Sequence, residues 1–232
     1  MACECSRSPF KHMICEHGGI SCCSSDYRRF FNRAFAARDL RRYRSRGLNG
    51  TQRDLVALSG DVHGASVLEV GGGIGALQLE LLEAGAARAT NVELSGGYED
   101  AAAELFRGRE GVERVVADFV GAELPEHDIV VMHRVVCCYP DVDALVGAAA
   151  AHTGHRLALT LPQQRRWIGW GLGAANLWMR LRRCGFRAYQ HPFERVEGAA
   201  TGMRLERRIR RGLVWESALF VRQRRIPVCP SE

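Results

Sequence analysis

The sequence predicts an α/β domain. It has a seven-stranded, mostly parallel sheet with helices on both faces, an antiparallel C-terminal strand pair and an N-terminal helical extension. Three observations predict it. From Ala65 onward, short β-branched runs alternate with Ala- and Leu-rich runs, the pattern of strand–helix–strand units. The first of these strands is followed by glycine at 71, 72, 73 and 75, where a tight strand-to-helix turn needs backbone free of side chains. The last two strand-like runs are separated by Gly212 with no helix between them, which calls for a hairpin.

The elements follow in order. Residues 1–25 form a leader without periodicity, and 26–64 a helical cap. In "DYRRFFNRAFAARDLRRYRSRG" Asp26 can cap a helix and Gly47 can stop it, with Phe30, Phe31, Ala34, Phe35 and Leu40 as the apolar stripe. A second short helix follows Thr51. These helices either pack on the domain or cover the mouth of its site. The domain proper, 65–232, opens with strand 66–70, helix 76–84 ended by Gly85, strand 89–94, helix 98–106, strand 112–117 and strand 128–133. Helix 143–152 and strand 156–162 come next, and "RLERRIRR" and "LVWESALFVR" form the closing pair. "WIGWGLGAANLWM" (167–179) carries three of the four tryptophans between flanking arginines. It reads as a core helix, a lid over an apolar acceptor, or an interfacial helix resting on a membrane.

Composition narrows the function classes. With 232 residues and 47% apolar content the chain can bury a core. No run of about 18 uncharged apolar residues is present, so no integral membrane span is expected, although peripheral contact remains compatible. The N-terminus lacks a secretory layout, so a cytoplasmic location is expected. The net charge of +6 comes from arginine with Lys11 as the sole lysine. Those arginines are mostly interspersed with acids, which argues against nucleic acid as partner. Of nine cysteines, Cys3, Cys5, Cys15, Cys22 and Cys23 fall in the leader with His12 and His17. The leader thus has enough donors for a zinc site, but its spacing fits no paired Cys-x-x-Cys pattern, so a thiol-rich segment without metal is the other reading.

The glycine corner is the richest signal. Gly71, Gly73 and Ala76 satisfy the dinucleotide pattern G-x-G-x-x-A, which leaves a nicotinamide-dependent oxidoreductase as one reading. Glu69, however, stands at the end of the preceding strand. A carboxylate there repels phosphate and suits a ligand carrying ammonium and sulfonium charges.

The run Glu69-x-Gly71-x-Gly73-x-Gly75 resembles the first motif of class I S-adenosylmethionine-dependent methyltransferases, and the resemblance extends from about Ala65 to Arg222. It implies a Rossmann-like fold with S-adenosyl-L-methionine as cofactor. Glu69, Gly71, Gly73 and Gly75 would hold the methionine part. Glu93, with Leu94 after it, would bind the ribose hydroxyls. Asp118 would reach the adenine amino group, with Phe119 against the purine. The hairpin also resembles this family, whose seventh strand inserts antiparallel.

After the fourth strand the sequence reads "MHRVVCCYPD". It lacks the Asp/Asn-Pro-Pro-Tyr/Phe run of enzymes that methylate nucleic-acid amines. It looks instead like small-molecule O- or C-methyltransferases. Tyr139–Pro140 is similar to magnesium-protoporphyrin O-methyltransferases, and Cys138 stands where that group tends to have histidine. The expected partner is therefore a small, apolar or aromatic acceptor. His133 is the candidate general base and Tyr139 a candidate to orient the acceptor. Cys137 and Cys138 read as small buried residues. A cofactor-binding regulator without turnover, built on the cysteine leader, is the reading from a different class.

Overall fold

Five parallel strands lie where the alternation places them: β1 (Ser66–Val70), β2 (Arg88–Glu93), β3 (Val112–Val116), β4 (His127–Met132) and β5 (Thr153–Pro162). The computed structural model describes residues 24–223. The cysteine-rich leader, Cys3 to Cys23 with its two histidines, lies outside the described residues. The C-terminal strands β6 (Met203–Arg211) and β7 (Trp215–Arg222) complete a seven-stranded sheet of order β3-β2-β1-β4-β5-β7-β6. β7 runs antiparallel to both of its neighbours. The chain reverses direction across the sheet between β1 and β4, so a crevice opens beyond their carboxyl ends.

Each sheet face has its own core. Leu68, Val130, Met132 and Leu157 point to one face, where helices α6 (Val142–Ala151) and α8 (Phe193–Ala199) cover them. Val67, Ile129, Val131 and Ala158 point to the other. There they meet α2 (Arg33–Arg46), α3 (Gly50–Ser59), α4 (Ala76–Glu83) and α5 (Glu99–Leu105). The period-two alternation along each strand is what divides the two cores.

The N-terminal region departs from expectation. The helix expected from Asp26 to Gly47 is two, α1 (Ser24–Phe30) and α2, broken at Asn32. Asn32 accepts hydrogen bonds from the N–H groups of Ala34 and Phe35 and so starts a fresh helix. Asp26 therefore lies within α1 rather than capping it. The break resets the helical phase: Ala34 is exposed, while Ala36 and Leu40 are buried. Gly47 does end α2, at φ 64°. The next helix starts just before Thr51, at Gly50, because Asn49 and Gln52 form a capping box.

Residues 167–179 form the middle of α7 (Arg166–Leu181), and they are not a core helix. Only Ile168 and Met179 are buried, whereas Trp170 is 72% and Leu181 75% exposed. The apolar run lies on the outward face of the helix. No described helix is long and apolar enough to cross a membrane.

The hairpin is fixed by an internal charge. Glu216 on β7 has no exposed side-chain surface. It accepts two hydrogen bonds of 2.8 Å from Arg208 on β6, whose guanidinium also lies 3.7 Å over the Phe193 ring. Arg208→Ala strands that carboxylate, with Arg210 3.9 Å away as a poor replacement. Denaturant unfolding is expected to show a loss of about 3 kcal/mol.

Candidate functional site

The glycine corner sits at the crevice. Gly71 and Gly73 have φ of 62° and 58°, values that favour glycine. A methyl at Gly71 would lie 2.6 Å from Val135 Cγ2, and one at Gly73 3.1 Å from the Tyr98 ring. The corner can approach its neighbours only as bare backbone.

Two neighbouring cavities, the two compartments of the cleft, share the walls Tyr27, Gly71, Val135 and Cys138. The smaller is mainly apolar, with Val92, Leu94, Phe119, Tyr139 and Leu145 around Asp118, the one acid among the described residues that line it. The larger is mixed in character. It holds Gly73, Glu93, His133 and Arg134 together with Phe35, Asp39 and Arg42 from α2.

The residues expected at the site thus divide. Gly71, Gly73, Glu93, Leu94, Asp118, Phe119, His133 and Tyr139 line the cleft. Glu69 and Gly75 line neither cavity. Gly75 starts α4 with no side-chain cap, and a methyl on it would meet Phe106 at 2.7 Å. Glu69 supplies the missing cap: its Oε2 accepts the Gln78 N–H at 3.0 Å. Burial pushes the Glu69 carboxyl up to about 8, against that hydrogen bond and the nearby Arg114, which act to lower it. The first acid of the motif therefore supports the corner from below.

Glu93 connects β2 to the corner. Its two oxygens accept the N–H groups of Gly73 (3.0 Å) and Ser95 (2.9 Å). Each keeps further lone-pair capacity. Burial raises its pKa, and the backbone donors and Arg114 oppose the shift. Asp118 caps a short 3-10 turn, Phe119–Gly121, through the Val120 N–H at 3.3 Å, and accepts the Tyr139 hydroxyl at 3.3 Å. Tyr139 therefore stands in the smaller compartment, bound to an acid, away from the compartment that His133 lines. Phe119 is buried beside His152, ring centroids 5.7 Å apart.

The protonation pattern of His133 follows from its neighbours. Asn49 Oδ1 accepts the Gln52 N–H and lies 2.8 Å from Thr51 Oγ1. Only the Thr51 proton can bridge those two oxygens. Thr51 must then accept from His133 Nε2, 2.9 Å away, as it does from Arg134 Nη2 at 3.3 Å. His133 is thus the Nε2–H tautomer, with its free lone pair on Nδ1. Burial, aided by the Arg134 and Arg42 charges, pushes its pKa down to about 3.

Several wall residues carried no motif. Tyr27 on α1 lines both cavities, and burial, with Glu93 nearby, raises its hydroxyl pKa well above the usual range. Phe35, Asp39 and Arg42 recur at helical spacing along α2, and all three face the cleft. Two charges in register with a phenylalanine on the inward side were the available signal. Thr51 and Asn49 offered none beyond the cap.

No protein-family model matches the sequence, and no curated protein matches it. Among solved structures, the chain is similar to magnesium protoporphyrin IX methyltransferase from Synechocystis with bound S-adenosylhomocysteine. The identity is 20%, over 86% of this chain and 99% of that one, and the TM-score is 0.65. It is also similar to an S-adenosylmethionine-dependent methyltransferase from Mesorhizobium loti (13% identity, 73% and 96% covered, TM-score 0.58). A third similar structure is the N-methyltransferase NodS from Bradyrhizobium japonicum with S-adenosyl-L-homocysteine (16%, 74% and 85%, TM-score 0.55). The chain shares the Rossmann-like fold of these methyltransferases, and its own seventh strand runs antiparallel.

Proposed function

We propose that this chain is an S-adenosyl-L-methionine-dependent methyltransferase that transfers a methyl group to oxygen or carbon of a small, apolar or aromatic acceptor. The observation that carries the reading is the pair of neighbouring cavities at the strand ends, with Gly71 lining both, Glu93 the larger and Asp118 the smaller. The likeness in fold to solved methyltransferases, two of them bound to S-adenosylhomocysteine, supports it.

The residues fit the cofactor part by part. Asp118, the only acid among the described residues that line the apolar compartment, suits an exocyclic amine on a flat base, with Leu94 and Phe119 as its apolar bed. Glu93 offers two oxygens to a vicinal diol. The bare backbone of Gly71 and Gly73 leaves room for the amino-acid part, and Glu69 and Gly75 hold that corner in shape. The cofactor supplies an electrophilic methyl on a good leaving group. The protein's part is alignment and exclusion of water. Tyr27, Phe31 and Phe35 from the N-terminal region wall the larger compartment, which supports reading residues 26–64 as a cap over the acceptor. His133 Nδ1 is the basic atom placed to accept a hydrogen bond from an acceptor hydroxyl. Tyr139 acts on the nucleoside side by positioning Asp118. The acceptor class excludes nucleic acid, in keeping with the absence of an Asp/Asn-Pro-Pro-Tyr/Phe run after β4.

Equilibrium binding tests this reading. Calorimetry is expected to give micromolar affinity for S-adenosylhomocysteine and none for NAD. Binding of NAD, or no binding of S-adenosylhomocysteine, would reject it. A screen of metabolite extracts with isotopically labelled cofactor then identifies the acceptor.

A further inference from the structure

We infer that the outward face of α7 is a docking surface for an anionic lipid bilayer. Trp167, Trp170, Leu177, Trp178 and Leu181 are all at least 47% exposed. At 100° per residue they fall on one stripe about 100° wide. Ile168 and Met179, on the opposite side, are the two residues the helix buries. The amphipathicity is therefore turned outward, with the apolar stripe facing solvent. Three of the chain's four tryptophans lie on that stripe, the residue type that settles at a membrane–water boundary.

Charge selects the occupant. Between Asp143 and Glu194 the chain has no acidic residue and seven arginines. Arg165, Arg166, Arg180, Arg182 and Arg183 flank the stripe and are exposed. Among the described residues none of the five forms an ion pair with a carboxylate. Two copies meeting through this face would bring these cations together, whereas anionic headgroups would neutralise them. At 16 residues the helix is too short to span a bilayer and suits lying along its surface.

The helix is tied to the cleft. Asn176 holds both the N–H and the carbonyl of Ala188 (2.9 and 2.8 Å). Phe186 stacks on Phe30 with centroids 4.7 Å apart, and the Tyr189 N–H donates to the Cys137 carbonyl at 2.7 Å. Docking through α7 sets this wall of the cleft beside the lipid. The inference stands on the helix itself and does not depend on methyl transfer.

Vesicle co-sedimentation of the full chain, with tryptophan fluorescence, tests it. Phosphatidylcholine vesicles containing phosphatidylglycerol are expected to carry the protein down with a blue shift, and phosphatidylcholine alone at least about tenfold less. Trp170→Ser with Trp178→Ser should lose about tenfold or more in partitioning. Arg182→Gln with Arg183→Gln should lose the preference for anionic lipid. All four positions are exposed, and thermal melting checks that the variants fold. Equal binding by the tryptophan variant, no preference between lipids, or no binding at all would overturn the inference. So would a dimer that the tryptophan variant dissociates while vesicles leave the protein in solution.

Discussion

Gly73→Asp is expected to abolish binding of S-adenosylhomocysteine, lowering affinity at least about a hundredfold. Three effects add at one atom. The backbone φ of 58° disfavours any side chain, by about 1–2 kcal/mol. The new Cβ would sit 3.1 Å from the Tyr98 ring. The new carboxylate would also enter beside Glu93, whose Oε2 already accepts the Gly73 N–H at 3.0 Å. Gly73→Ala carries the first two effects without the charge, so it should bind more weakly than the native chain yet more tightly than Gly73→Asp. Calorimetry orders the three, and thermal melting separates loss of fold from loss of binding. Native affinity in Gly73→Asp would mean that the corner does not face the ligand.

That corner was the most legible part of the sequence. Strands β1 to β5 and the closing hairpin could be placed from alternation alone, because buried strands flanked by glycine and helix-favouring runs have few other ways to pack. Glu93 and Asp118 were singled out by the resemblance to methyltransferase motifs rather than by alternation; Glu93 closes β2, Asp118 follows β3, and each lines one of the two cavities. The role of Glu69 was not legible. A strand-end carboxylate can face a ligand or turn back to the next helix, and the choice depends on Gly75 leaving α4 without a side-chain cap. The break at Asn32 was hidden because the apolar run continues through it while the caps change its phase. The outward face of α7 was hidden because apolar content does not show which side of a helix is buried. His133 was legible as a candidate by position, but its tautomer comes from Asn49 and Thr51, which are more than 80 residues away in sequence.

His133→Ala is expected to lower turnover by about tenfold to a hundredfold while leaving affinity for S-adenosylhomocysteine within about twofold. The expectation follows from where its proton sits. The ordinary value of 6.5 is pushed down to about 3 by burial, with Arg134 and Arg42 adding to the effect. The imidazole is therefore neutral throughout the neutral range. Its Nδ1 can accept an acceptor hydroxyl at any pH in that range, but with so low a pKa it orients and polarises that hydroxyl more than it removes the proton. The native rate should then show no ionisation near pH 6.5 from this residue. Stability should change there instead. The folded pKa lies below the unfolded one, so the unfolded chain binds more protons between about pH 3 and 6.5. This contribution is fully present above pH 6.5 and is lost as pH falls toward 3, and His133→Ala should remove that part of the acid sensitivity. Thr51→Val separates orientation from basicity. It deletes the oxygen that accepts Nε2–H and frees the tautomer, so turnover should fall while the larger cavity keeps its imidazole. Unchanged turnover in His133→Ala would show that the acceptor is aligned by other walls of the compartment. Unchanged turnover in Thr51→Val alone would show that the ring works without its fixed tautomer.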